Sequence, residues 1–86
     1  MQLVRSERFK QAYRKLELTE QELVKKALRQ LIIDRAYPGL RVKRIQGTEG
    51  IWEMRAGLDI RITFEISDES YVLRNVGHHD AALRKP

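Results

Sequence analysis

The 86-residue sequence contains no cysteine, which excludes disulfide staples and thiolate metal centres. It has only two prolines, five glycines and one tryptophan, with no low-complexity stretch, internal repeat or linker. No charge-free segment approaches the roughly 20 apolar residues that span a bilayer. The opening Met1-Gln2-Leu3-Val4-Arg5 lacks the apolar run of a secretory signal, so the expectation is a cytoplasmic protein with no membrane contact. The apolar fraction of 42% is regularly spaced, which argues against a disordered chain. The length suits one domain, residues 1–86, with a thin core, because so short a chain buries only about 60–65% of its unfolded surface.

Basic residues outnumber acidic ones, 17 to 12, for a net charge of +5. The excess is unevenly placed. Lys25, Lys26, Arg29, Arg35, Arg41, Lys43 and Arg44 are opposed between them only by Asp34. Such a segment attracts polyanions, with nucleic acid or an acidic protein as the partner class, or else forms a solvated helix face.

Two periodicities divide the chain. Gln2–Arg5 can form an opening strand, with Ser6 as the cap of a helix whose stripe is Phe9, Ala12, Tyr13 and Leu16. Thr19 with Glu22 has capping-box spacing, and Leu23, Val24, Ala27, Leu28, Leu31 and Ile32 form the stripe of a second helix. That helix must end before Pro38-Gly39. From Leu40 the period becomes 2. Asp59 to Ile66 alternates strictly, Ile51 to Arg55 does the same, and Ala56-Gly57-Leu58 joins them as a hairpin. Tyr71 to Val76 follows the polar turn at residues 67–70, and Arg41 to Gln46 forms a shorter strand ahead of the hairpin. The order β-α-α-β-β-β-β predicts an α+β fold, a helical hairpin covering one face of a mainly antiparallel sheet of four to five strands. Parity places Trp52 and Met54 in the core and Glu53, Arg55, Arg61, Thr63 and Glu65 on a face expected to be open to solvent.

These residues, in this order, resemble the RelE/ParE superfamily of bacterial toxins from toxin–antitoxin modules. The matching segments are the two N-terminal helices, Leu40 through Gly47, Gly50-Ile51-Trp52-Glu53-Met54-Arg55, Asp59-Ile60-Arg61-Ile62-Thr63-Phe64 and Val76-Gly77-His78-His79-Asp80. The resemblance implies a toxin neutralised by an antitoxin protein. In the RelE-like branch it implies an endonuclease that cuts mRNA on the ribosome with no metal, other cofactor or small-molecule substrate. In the ParE-like branch it implies gyrase inhibition without catalysis, and a decayed homologue that only binds its antitoxin is the third reading. Arg61 matches the family arginine at the scissile phosphate, and His79 matches a C-terminal histidine or arginine. Glu53 and Arg55 occupy outward positions that are often basic. The sequence departs from the pattern in having an acid at Glu53 and no tyrosine after His79.

RNA cleavage by the 2′-hydroxyl needs a base, an acid and positive charge over the phosphorus. Histidine can serve as acid or base near neutral pH, while a guanidinium matches phosphate oxygens without releasing its proton. The candidate catalytic set is therefore Arg61, His79, Glu53 and His78, with Lys43, Arg44, Arg55 and Arg41 as RNA-backbone contacts. His78 and His79 are adjacent on an extended segment and point apart, which disfavours a shared zinc ion in His78-His79-Asp80.

Overall fold

A computed structural model describes residues 1–86. Strand β1 (Gln2–Arg5) leads into helices α1 (Glu7–Arg14) and α2 (Leu18–Ile33). A 3-10 turn, Pro38–Leu40, precedes β2 (Lys43–Arg44), β3 (Ile51–Arg55), β4 (Ile60–Ile66) and β5 (Ser70–His78), and α3 (His79–Arg84) closes the chain. The five strands form one sheet in the order β1-β5-β4-β3-β2, with β1 parallel to β5 and the other neighbours antiparallel. This is the expected α+β architecture.

Local chemistry sets the helix boundaries. The Ser6 hydroxyl accepts the Phe9 N–H at 3.1 Å and donates to the Arg74 carbonyl at 3.2 Å, so one side chain caps α1 and ties it to β5. Helix α2 starts earlier than the Thr19–Glu22 spacing implied. Its cap is Glu17, whose N–H donates to Glu20 Oε1 at 3.0 Å, and only Lys15, Leu16 and Glu17 link the helices. Gln21 Nε2 donates to the Tyr13 carbonyl at 3.0 Å across that link. At the other end Asp34 accepts the Ala36 N–H and the backbone leaves the helix ahead of Pro38.

The core lies between the helices and one sheet face. Phe9, Val24, Leu31, Met54, Ile62, Phe64 and Leu73 are all essentially inaccessible, and Trp52 packs against them as its parity predicted. Truncating a residue such as Phe64 or Leu31 to Ala removes packing worth about 2–5 kcal/mol.

The opposite face differs from expectation. Instead of ending as an extended segment, the chain turns at His78 into α3, which packs over β4 and β5. The tail beyond α3 is pinned by polar bonds. Thr63 Oγ1 donates to the Pro86 carbonyl at 3.0 Å, Arg74 Nε donates to the same oxygen at 3.1 Å, and Asn75 Nδ2 donates to the Lys85 carbonyl at 3.1 Å. Thr63 is thereby fully buried, and the face expected to be bare is partly covered. Strand β2 is also shorter than Arg41–Gln46, and β5 is longer than Tyr71–Val76.

Candidate functional site

What remains open on that second face is a cleft of about 230 Å³ at the β2–β3 end, lined by Arg41, Lys43, Glu53, Arg55, Arg61 and His79, with no hydrophobic residue among them. Strand register brings them together. Lys43 pairs with Glu53, Glu53 with Thr63, and Arg55 with Arg61, so their side chains emerge on one face in adjacent rows. Arg41 reaches the rim by another route. It follows the 3-10 turn with φ of 48°, the one non-glycine residue in the left-handed region. His79, first residue of α3, enters from the covered side.

Arg61 is the most constrained member. It is 8% exposed, and its Nη1 donates to the Leu58 carbonyl at 3.3 Å and to the Ile60 carbonyl at 3.1 Å. Its Nε and Nη2 make no bond within the chain, and no buried polar side-chain atom lacks a partner, so this edge of the guanidinium opens to solvent in the cleft. One edge holds the scaffold and the other is free for an anion. Burial lowers the Arg61 pKa, and Arg55 and Arg41 lower it further, while Glu53 and Asp59 oppose them. The expectation that Arg61 stands freely outward is corrected: the residue is buried because α3 and the β3–β4 loop close around it.

Four fixed cations thus face one carboxylate in a space without apolar lining. Directly opposed like charges cost stability, and the arrangement is relieved when a polyanion enters. Glu53, at 9% exposure, sits between Lys43 and Thr63 in the ladder and is the one carboxylate in the cleft lining, while His79 Nδ1 lies 3.2 Å from Asp80 Oδ1.

Two of the candidate residues are not in the cleft. Arg44 pairs with Trp52 and so lies on the helix-side face of the sheet. His78 pairs with Ile60, whose side chain is in the core, and likewise faces the helices. There His78 Nδ1 lies 2.5 Å from Asp59 Oδ2 and Nε2 lies 3.0 Å from Glu20 Oε2. The hydrogen bond to Asp59 raises the His78 pKa and lowers that of Asp59. An imidazole held between two carboxylates is separated from any phosphate in the cleft, so the proposed proton role of His78 is corrected by the strand parity. Asp59 and Glu20 did not figure among the sequence candidates. Their signal was only that Asp59 opens the alternating strand and Glu20 sits in the first turn of α2.

No protein-family model and no curated protein sequence matches the chain. Comparison with solved structures gives one consistent fold. The chain is similar to the YoeB/ParE toxin from Agrobacterium tumefaciens, with a TM-score of 0.77 at 15% identity over 92% of this chain and 99% of that one. It is similar to the toxin fold of the RelB-RelE antitoxin-toxin complex from Methanococcus jannaschii, at 0.74 and 16% identity over 91% and 92%. The E. coli RelBE toxin-antitoxin complex gives 0.70 and 21% identity over 90% and 94%. The chain has the RelE/ParE toxin fold. Its neighbours in that fold are toxins of toxin–antitoxin pairs, several of them solved with the antitoxin bound.

Proposed function

We propose that this protein is the toxin of a toxin–antitoxin pair, an endoribonuclease of the RelE type that cuts mRNA on translating ribosomes. The observation that carries the reading is the cleft itself: a titratable imidazole, a carboxylate and a half-free guanidinium share one small, wholly polar space with three further cations. Those are the groups that phosphodiester cleavage by an internal hydroxyl requires.

In the proposed step the ribose 2′-oxygen attacks phosphorus, and the bond to the 5′-oxygen breaks. A base takes the 2′-hydroxyl proton and an acid protonates the departing oxygen, leaving a 2′,3′-cyclic phosphate and a 5′-hydroxyl. His79 and Glu53 divide these proton roles. The free edge of Arg61 offsets charge on the non-bridging oxygens, and Arg41, Lys43 and Arg55 hold the flanking backbone without reading sequence. Arg44 lies outside this set. The proposed partners are mRNA, the ribosome and a cognate antitoxin, in the cytoplasm.

One observation favours the second reading. Arg61 spends part of its guanidinium on its own backbone carbonyls, and Glu53 places an acid where bound phosphate must pass. A ParE-like inhibitor of gyrase, or a homologue that only binds its antitoxin, tolerates both. Induced expression separates these readings. The nuclease reading requires protein synthesis to stop with transcripts cut inside translated frames. Growth arrest with intact transcripts and broken DNA supports gyrase inhibition, and unimpaired growth supports the decayed homologue.

A further inference from the structure

We propose that Glu20, Asp59 and His78 form a pH-sensitive clasp that fixes where α3 begins and thereby holds His79 in the cleft. The clasp makes His78 a positioning residue rather than a catalytic one.

Its geometry supports this role. His78 Nδ1 lies 2.5 Å from Asp59 Oδ2, and Nε2 lies 3.0 Å from Glu20 Oε2. A neutral imidazole carries one N–H and can donate to only one carboxylate. Both contacts are satisfied together only when the ring is protonated. The imidazolium then ties the first turn of α2 to the β4–β5 ladder, where Asp59 precedes Ile60, the register partner of His78. His78 is also the N-cap position of α3, but its side chain makes no capping bond to the helix. The His79 backbone N–H is among the lesser groups that lower the Asp59 pKa, after the His78 hydrogen bond. His79 immediately follows the clasp, and its side chain lines the cleft on the other side of the sheet.

Other charges around the ring fit the same description. From α2 and its cap come Glu20 and Glu17, both favouring the protonated ring. The groove beside His78 also contains Arg8 from α1 and Lys15 from the link after it. Asp59 acts on the ring from the β3–β4 loop. The His78 pKa lies above its ordinary 6.5, so the clasp is complete below that pH and opens as pH rises through the higher folded value. The Asp59 pKa lies below its ordinary 3.8, so the Asp59 arm of the clasp is lost as pH falls through that lower value.

The link from His79 to cleavage rests on the nuclease reading, but the clasp itself is tested without activity. In the full-length chain, ring-nitrogen NMR should show both His78 nitrogens protonated at pH 6 and a titration above the ordinary 6.5. Amide-exchange protection at Ala82–Arg84, taken relative to β4 amides, should fall about two- to fivefold as His78 deprotonates, the scale of a solvent-exposed ion pair. D59N and E20Q should each remove that step and shift the His79 ring resonances. Protection that ignores the His78 titration, or a His78 that titrates identically in wild type and D59N, overturns the clasp. A clasp that behaves as described while His79→Ala leaves transcript cleavage intact preserves this inference and removes the nuclease mechanism instead.

Discussion

Arg55 and Arg61 lie directly opposite one another in the β3–β4 ladder, two guanidinium groups on the same face of adjacent strands. A folded protein with no use for that pairing gains by replacing Arg55, the member without a bond to the scaffold, since like charges in register cost roughly 0.2–1 kcal/mol. Arg55→Gln should therefore leave stability unchanged or slightly raised in urea titration. Binding to single-stranded RNA should weaken, and the slope of log K against log salt should fall by about 0.7, one phosphate contact on a single strand. An unchanged slope would place Arg55 outside the RNA path.

Arg61 combines scaffold and site, and two substitutions separate the parts. Arg61→Ala leaves the Leu58 and Ile60 carbonyls without its guanidinium and opens space beneath α3, and should cost about 1–3 kcal/mol. Arg61→Lys keeps the charge but loses the fork, and should fold with a smaller penalty while binding RNA less well. Thermal unfolding of the two variants checks the order, and an Ala variant as stable as wild type would mean that the carbonyl contacts contribute little.

Arg41 pays for its place at the rim with a left-handed backbone, a conformation that costs a non-glycine residue of the order of 1 kcal/mol. Arg41→Gly relieves that strain while freeing the unfolded chain, two effects of similar size and opposite sign, so stability should stay within about 0.5–1 kcal/mol of wild type. RNA affinity should drop with the lost charge. A large loss of stability would show that the Arg41 side chain has a packing role.

The Asp59–His78 pair gives stability its own pH dependence. The raised His78 pKa contributes stability in full below 6.5, lost as pH climbs through the folded value. The lowered Asp59 pKa contributes in full above 3.8, lost as pH falls through the folded value. The urea midpoint of wild type should therefore exceed that of D59N most clearly between those pH values, and the two curves should converge above and below them. A constant offset at all pH values would contradict the pairing.

Much of this was legible in the sequence, and the reasons are local. The alternation from Asp59 to Ile66 gave β4, its partner β3 and the division of residues between core and second face, because one buried face fixes register. The same parity separates His78 from His79 and, applied to β2, separates Lys43 from Arg44. It cannot report whether a second face is covered. Helix α3 is too short to display a period, and its signals were only Asp80 in the first turn, Ala81 and Ala82, and Arg84 in the last. Missing that helix left Arg61 and Thr63 apparently exposed. Arg41 enters the cleft through a left-handed turn that periodicity does not encode. The clasp joins residues 20, 59 and 78, a contact over sequence distances that no local pattern carries.

The central claim, that the cleft around His79 and Arg61 cuts RNA, is tested most directly by adding purified protein to ribosomes translating a defined mRNA and mapping the transcript by primer extension. The account predicts discrete cuts with 2′,3′-cyclic phosphate ends for wild type, and their loss in a His79→Ala variant that keeps its circular dichroism and urea midpoint. Intact transcripts with wild type, or undiminished cutting by folded His79→Ala, would contradict it.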